Sequence, residues 1–423
     1  MSGGFLRPSP TNAGIIGLAN AGFHAMPDAS PDQDTLCWPD YQGGSLVNLS
    51  VSLAQAMGAE IAGTPLHPGL LGPLATEGRD IALLLVDGLG DAQLARHGPA
   101  SFLRAHQRTT LSSVFPSTTA SALTSVQTAT PPSQHGLTGW EMYSPAHRAI
   151  VHPLTLGCRH SEAAAPTHGA LASALYQTPS WFDRLARPAV CVLPQHLVPT
   201  PFSRHHAGRT MRVPYRDWPA LFAALEQALA SRTPAFVYAY TSRLDHEMHA
   251  AGPDDWSVSR SFTELDERIE AFCQTPRRRP LTLLVTADHG FAATPRDKRV
   301  AWETLPEALQ ALLARPLSGE GRVRFCHVRQ GEAARFAALA EETLGEVAWV
   351  ETSGSLVERG AFGPPPYHPE LMARVGDVTL LMKPGHTLRD TLPGERWLHL
   401  DGSHGGVSRA EMRVPLIRVD IDA

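Results

Sequence analysis

Asp245 and His249 stand four apart in Asp245-His-Glu-Met-His249, two ligand-type residues in a chain of 423. On a helical turn that spacing puts both on one face, where they can grip one ion. Taken alone, the same spacing describes a solvated helix start. A second pattern, Thr286-Ala-Asp288-His289-Gly290, sets an Asp-His pair at the end of an apolar run. Charge is costly there unless it is paired or bound to metal. A third, Val86-Asp87-Gly88, ends another apolar run in a carboxylate, and a fourth, Gly402-Ser-His404-Gly-Gly406, sets a histidine in a glycine-rich loop. Each glycine by itself is turn punctuation. In Phe115-Pro-Ser-Thr118-Thr119 the proline and serine suit a helix start, which predicts a helix from Thr119 to Ala129. A lone threonine there is a cap, but a helix N-terminus also favours bound phosphate through its free N–H groups and dipole. Together these donors suit two hard or borderline divalent cations held by oxygen and nitrogen. Such a pair of ions suits in-line displacement at phosphorus.

The elements that must position these residues are legible as short apolar runs. Ile81–Val86 runs into Asp87, Ala235–Tyr240 runs into Thr241-Ser-Arg243, and Leu281–Thr286 runs into Ala287-Asp288-His289. Uninterrupted runs of this length suit strands buried on both faces of a parallel sheet. Helical segments, Trp218–Ser231 and Val258–Phe272, lie between them. This predicts an α/β fold with a mostly parallel central sheet flanked by helices, its ligands outside the carboxyl ends of the strands. Residues 141–217, rich in His and Pro, read as loops and short elements that help to form a substrate pocket. After Lys298 the texture changes. Arg322–Arg329, Val347–Glu351 and Asp377–Met382 read as strands, and Gly331–Leu344 as an amphipathic helix. The expected organisation is a catalytic domain of residues 1–305 plus 390–423, interrupted by a smaller α/β subdomain at 306–389.

Composition excludes several classes. A hydrophobic fraction of 43% with 18% charged residues is ordinary for a globular protein. A net charge of −5 argues against a general nucleic-acid binder. The run Arg277-Arg278-Arg279 reads as a solvated loop. Five scattered cysteines without a CxxC pair exclude a disulfide framework and a thiolate zinc site. No apolar run approaches the ~20 residues of a membrane span. Gly14–Phe23 is weakly apolar with only Arg7 ahead of it, and reads as an ordinary N-terminal segment rather than a signal peptide. The expected location is therefore cytoplasmic, without a membrane partner.

In the order Asp87, Thr119, Asp245-xxx-His249, Asp288-His289, His404-Gly, the chain resembles the alkaline phosphatase superfamily. Within it the nearest likeness is to the type I phosphodiesterase/nucleotide pyrophosphatase family, with phosphonoacetate hydrolase close by. The resemblance spans roughly residues 81 to 419. It implies that Asp87, Thr119, Asp288 and His289 hold one metal, and that Asp245, His249 and His404 hold the other. The metals would be zinc, with manganese the alternative. It further implies a threonine that attacks phosphorus, and a phospho-threonine that water then releases. In the family the nucleophile precedes the histidine of a Pro-x-x-His-Gly motif by sixteen residues, which from His135 selects Thr119, with Thr118 the alternative. Two positions depart from the pattern. Ala120 stands where the family has a nucleobase-stacking Phe, and Trp140 where it has a phosphate-contacting Asn. Nucleotide preference and one phosphate contact are thereby put in doubt. His152, His160, His168, His205 and His206 match no motif and read as surface or pocket residues.

The implied activity is hydrolysis of a small-molecule phosphoester, of phosphodiesterase or nucleotide pyrophosphatase type. The alternatives are a phosphomonoesterase or phosphonate hydrolase on the same metal core, or a non-catalytic relic that binds phosphorylated ligands. The presence of every expected ligand type counts against the relic.

Overall fold

The apolar runs become the centre of a seven-stranded sheet. The structure is a computed structural model and describes residues 36–395 and 399–423; the segment Gly14–Phe23 lies outside them. In chain order its strands include β1 (Asp80–Val86), β2 (Gln107–Ser112), β3 (Ala189–Pro194), β4 (Met211–Tyr215), β5 (Phe236–Thr241), β6 (Leu281–Thr286), β7 (Ser318–Glu320), β8 (Val323–Cys326), β9 (Ala348–Thr352), β10 (Val378–Met382) and β11 (Arg413–Ile421). The helices that matter here are α1 (Thr119–Thr128), α2 (Trp218–Leu229), α3 (Arg243–Ala251), α4 (Trp256–Gln274) and α5 (Ala333–Leu344).

The main sheet runs β2-β11-β6-β1-β5-β3-β4. Pairing is parallel from β6 to β4, while β11 lies antiparallel to both neighbours. Every residue of β1, β5 and β6 is buried. That is why their sequences are continuous apolar runs rather than alternating ones. Helix α4 buries Val258, Phe262, Leu265, Ile269 and Phe272, a stripe at three- and four-residue spacing. Its N-cap Asp255 accepts from the Ser257 amide, and the N-cap of α2, Asp217, accepts from Ala220.

Residues 141–217 hold more regular structure than their sequence suggests. Met142–Ser144, Ala149–His152 and Gly157–Ser161 form a small antiparallel sheet, and β3 and β4 join the main one. A second sheet, β7-β8-β10-β9, is antiparallel and lies within the segment 306–389. Helix α5 contributes Phe336, Ala340 and Leu344 to the apolar cluster beneath it. The arginine run is less solvated than its sequence suggests, since Arg279 pairs with Asp80 at 3.2 Å. The cysteines of the described residues are all free, and no helix among those residues is long and apolar enough to cross a membrane.

Candidate active site

One edge of the sheet collects every loop that carries a ligand-type residue. Val86 of β1 is in register with Thr241 of β5, and Leu85 with Thr286 of β6. Asp87, Asp245 and Asp288 therefore follow the carboxyl ends of three adjacent strands. Because β11 runs the other way, its first residues lie at the same edge, where Arg413 pairs with Ser112 of β2. The loop ahead of β11 thus brings His404 to that edge, and the segment after β2 brings Thr119. Gly88 follows Asp87 with φ +76° and donates its amide to Asp288 Oδ1 at 3.1 Å. A Cβ there would meet Met248 and Phe291 at under 3 Å, so glycine is required twice over.

Thr119 is the first residue of α1 and Thr118 its N-cap. Thr119 Oγ1 lies 3.1 Å from His289 Nε2, which in turn is 3.4 Å from Asp87 Oδ1 and 3.4 Å from Asp288 Oδ2. A second triangle adjoins it. His249 Nε2 is 3.4 Å from Asp245 Oδ1, His404 Nε2 is 3.7 Å from the same oxygen, and the two Nε2 atoms are 3.2 Å apart. Ligands at ~2.0–2.1 Å on the corners of a tetrahedron stand about 3.3 Å apart, so these separations match donors arranged around shared cations. His289 also lies within reach of Asp245 and His404, so the two triangles are neighbours rather than separate sites. The seven residues expected from the sequence are thus brought together at one place.

The protonation chemistry fits cations as well. Asp87 Oδ1, Asp245 Oδ1 and Asp288 Oδ2 are buried without a hydrogen-bond partner. An orphaned buried carboxylate oxygen is costly unless a cation meets it. Burial pushes Asp87 and Asp245 well above the usual carboxylate range, with neighbouring carboxylates adding to it, and raises Asp288 likewise. Burial pushes the imidazoles the other way, His249 down to about 4, His289 to about 3 and His404 well below its usual value. All three are neutral at pH 7. Each directs Nδ1 at a backbone carbonyl, His249 at Gly402, His289 at Gly290 and His404 at Ser117, at 3.0 to 3.1 Å. With Nδ1 donating, the Nε2 lone pair faces the centre, the usual outer support of a metal-binding histidine.

Several supporting residues have no motif in the sequence. The Tyr240 hydroxyl donates to Asp87 Oδ2, and the Ser113 hydroxyl to the Asp288 carbonyl. Phe291 packs its ring 4.8 Å from that of His249 and 5.1 Å from that of His404. Glu320, at the end of β7, brings Oε2 within 3.7 Å of His404 Nδ1, and burial raises it to about 8. Gly405, at φ +110°, leaves room for that carboxylate, which a Cβ would meet at 2.6 Å. Tyr240 carried a signal, since it and Tyr238 place hydroxyls in a buried, mostly apolar run. Glu320 carried none, since only tertiary packing brings it to His404.

The motif histidine His135 is a support rather than a ligand. It is buried, and its Nε2 meets the Ser125 hydroxyl of α1 at 2.9 Å. Its fixed spacing from Thr119 therefore reflects the anchoring of the helix that Thr119 begins. Ala120 is fully buried, so the place of a stacking ring is closed by packing. Trp140 is 39% exposed and stands 5.3 Å from the His152 ring. His206 is buried against Phe202 and Tyr176, away from the ligand set.

Comparison with known proteins places this arrangement in a class. A model of the type I phosphodiesterase/nucleotide pyrophosphatase family matches residues 81–406, and the chain belongs to that family. It is, with that family, a hydrolase of phosphoester or pyrophosphate bonds. Among solved structures, murine ectonucleotide pyrophosphatase/phosphodiesterase 5 is similar at 14% identity and a TM-score of 0.59, over 80% of this chain and 87% of that one. An inactive threonine-to-alanine variant of the murine protein, in complex with AMP, is similar at 14% identity and 0.58, with the same coverage. Phosphonoacetate hydrolase from Sinorhizobium meliloti, in complex with phosphonoformate, is similar at 17% identity and 0.56, over 81% and 90%. No curated protein sequence matches the chain.

Proposed function

We propose that the chain hydrolyses a small phosphodiester or pyrophosphate with Thr119 as nucleophile, and that two divalent cations, zinc in the first place, complete the site. The observation that carries this reading is the convergence of orphaned carboxylate oxygens and inward-facing Nε2 atoms in two triangles beside Thr119 Oγ1. Asp87, Thr119, Asp288 and His289 would hold one cation, and Asp245, His249 and His404 the other. When bound, the cations supply the positive charge that lowers the barrier to ionising a hydroxyl and neutralises the phosphoryl oxygens.

The chain's own residues set the geometry. Thr119, at the start of α1, presents Oγ1 where the free helix N–H groups favour a phosphoryl oxygen. A new Oγ1–P bond forms as the P–O bond to the leaving group breaks; the threonine proton passes to solvent and the leaving oxygen takes one from it. Water then attacks phosphorus and the Oγ1–P bond breaks, restoring the hydroxyl. The similar murine protein, whose threonine-to-alanine variant is inactive, supports an essential threonine.

The segment 306–389 is the smaller unit that shapes substrate choice in this reading. A phosphonate is the second substrate class, favoured by the similarity to phosphonoacetate hydrolase and by the closed packing at Ala120. Assay of bis-p-nitrophenyl phosphate, p-nitrophenyl phosphate, a nucleotide diester and phosphonoacetate, with zinc and with manganese, tests the proposal. Turnover of the diester, with its phosphoryl group and one remaining ester trapped on Thr119, is expected. Turnover of none of the four would overturn it.

A further inference from the structure

The loop that carries His404 is tied down by an ion pair outside the ligand set. Arg322 lies in the tight turn between β7 and β8, and Glu411 just ahead of β11; their side chains are 1% and 0% exposed. The guanidinium meets the carboxylate in a two-pronged contact, Nε to Oε1 at 2.9 Å and Nη2 to Oε2 at 2.8 Å. Its remaining nitrogen donates to the carbonyls of Lys383 and His386. The pair is therefore fixed from the side of the second sheet.

Glu411 faces the other way into the ligand loops. Its Oε1 accepts the Gly406 amide at 2.9 Å and its Oε2 the Ser408 hydroxyl at 2.5 Å, both within four residues of His404. A Cβ on Gly406 would meet Oε1 at 2.8 Å, so the loop approaches as closely as glycine allows. The Glu411 backbone carbonyl accepts the Gly290 amide at 2.8 Å, next to His289. One residue thus touches both histidine loops, the His404 loop through its side chain and the His289 loop through its backbone.

The geometry points to Glu411, locked by Arg322, as a positioning residue that sets His404 for its cation and makes the second sheet part of the metal centre's frame. This rests on the two-cation reading of the site. Buried carboxylates and their partners outside the ligand shell commonly govern metal affinity by one to two orders of magnitude. The Glu411 side chain hydrogen-bonds into the His404 loop, whereas it acts on His289 only through its charge, so a side-chain change acts first on the cation that His404 would hold.

Cobalt titration of metal-free protein, followed by visible absorbance, tests it in wild type and Glu411→Gln. In a variant that stays folded, whichever binding step His404→Ala abolishes should weaken at least tenfold, and by clearly more than the other step. Cobalt affinities unchanged from wild type at both steps in folded Glu411→Gln would overturn the inference, since a purely structural link lowers the melting temperature without weakening cobalt binding to the folded protein. If Glu411→Gln fails to fold, the double variant Arg322→Met, Glu411→Met removes both buried charges together, and the same selective loss is expected. Amide exchange on metal-free protein separates this inference from the two-cation reading. Faster exchange at 403–408 in the variant supports the positioning role even if wild type takes up one cobalt, and unchanged exchange there overturns it.

Discussion

His249 Nε2 and His404 Nε2 face each other across 3.2 Å, from a helix and a loop far apart in sequence, with each Nδ1 committed to a backbone carbonyl. Two neutral imidazoles so oriented bring lone pairs together, which is repulsive without a cation between them. Metal analysis after reconstitution should approach two ions per chain, and His249→Ala should retain about one. A wild-type stoichiometry that stays at one or zero contradicts the site.

Thr119→Ala should lower turnover by roughly a thousandfold or more, because the covalent route disappears. Its helix should persist, since alanine is the best helix former. Thr118→Ala should retain most activity, as the Thr118 side chain meets Glu320 while Thr119 is the one that meets His289. Rates are to be compared at equal metal content; an active Thr119→Ala beside a dead Thr118→Ala would place the nucleophile one residue earlier.

Metal binding should release protons, and the release should shrink with rising pH. Burial raises Asp288 to about 7, and Asp87 and Asp245 in the same direction, so Asp288 still holds a proton in the neutral range until a cation displaces it. His249 and His289, lowered to about 4 and about 3, hold none there. Calorimetry in buffers of differing ionisation enthalpy should find the most protons released near about pH 6 and few near about pH 9. Linkage gives the stability trend of the metal-free protein. Raised carboxylates contribute stability below their unfolded pKa that is lost as pH rises through their folded values. Unfolded histidines stop taking up protons above about pH 6.5, so above it the carboxylate trend stands alone. The metal-free melting temperature should therefore fall between about pH 6.5 and 8, while the metal-loaded one holds. A flat metal-free profile would remove the strain assigned to these carboxylates.

Ala120→Phe should not confer nucleotide preference. Ala120 is fully buried, so a ring there overpacks α1 at a cost of about 1–3 kcal/mol. Thermal unfolding should register that loss, and kcat/KM for a nucleotide diester should not rise relative to bis-p-nitrophenyl phosphate. A selective gain for the nucleotide would show that the position opens to substrate.

The central strands were legible because they are buried on both faces, so Ile81–Val86 and Leu281–Thr286 could only be apolar. The margins were not. β2 reads Gln-Arg-Thr-Thr-Leu-Ser and is half-buried, while β4 carries an exposed Met211 and Pro214, both tolerated only at a sheet's edge. The candidate ligand residues were visible as side-chain types, most of them at strand ends, where fold and chemistry share the same positions. Glu320, Arg322 and Glu411 were not, because an ion pair or a carboxylate near a histidine is written in no local spacing. The Nδ1 bonds of the histidines end on backbone carbonyls and so leave no mark in the sequence at all.

The antiparallel strand β11 has a consequence for how the chain is made. Among the described residues it is the last strand in sequence, yet it sits inside the sheet, joining β2 to β6. During synthesis β2 emerges hundreds of residues before the neighbour that will cover its edge. The parallel strands β1, β3, β4, β5 and β6 can assemble on the ribosome, but β2 must wait, and His404 and Glu411 reach their places only with β11. Pairings of such long sequence separation form slowly. The candidate site therefore closes only once β11 has paired, and until then the sheet presents an unpaired strand edge beside it.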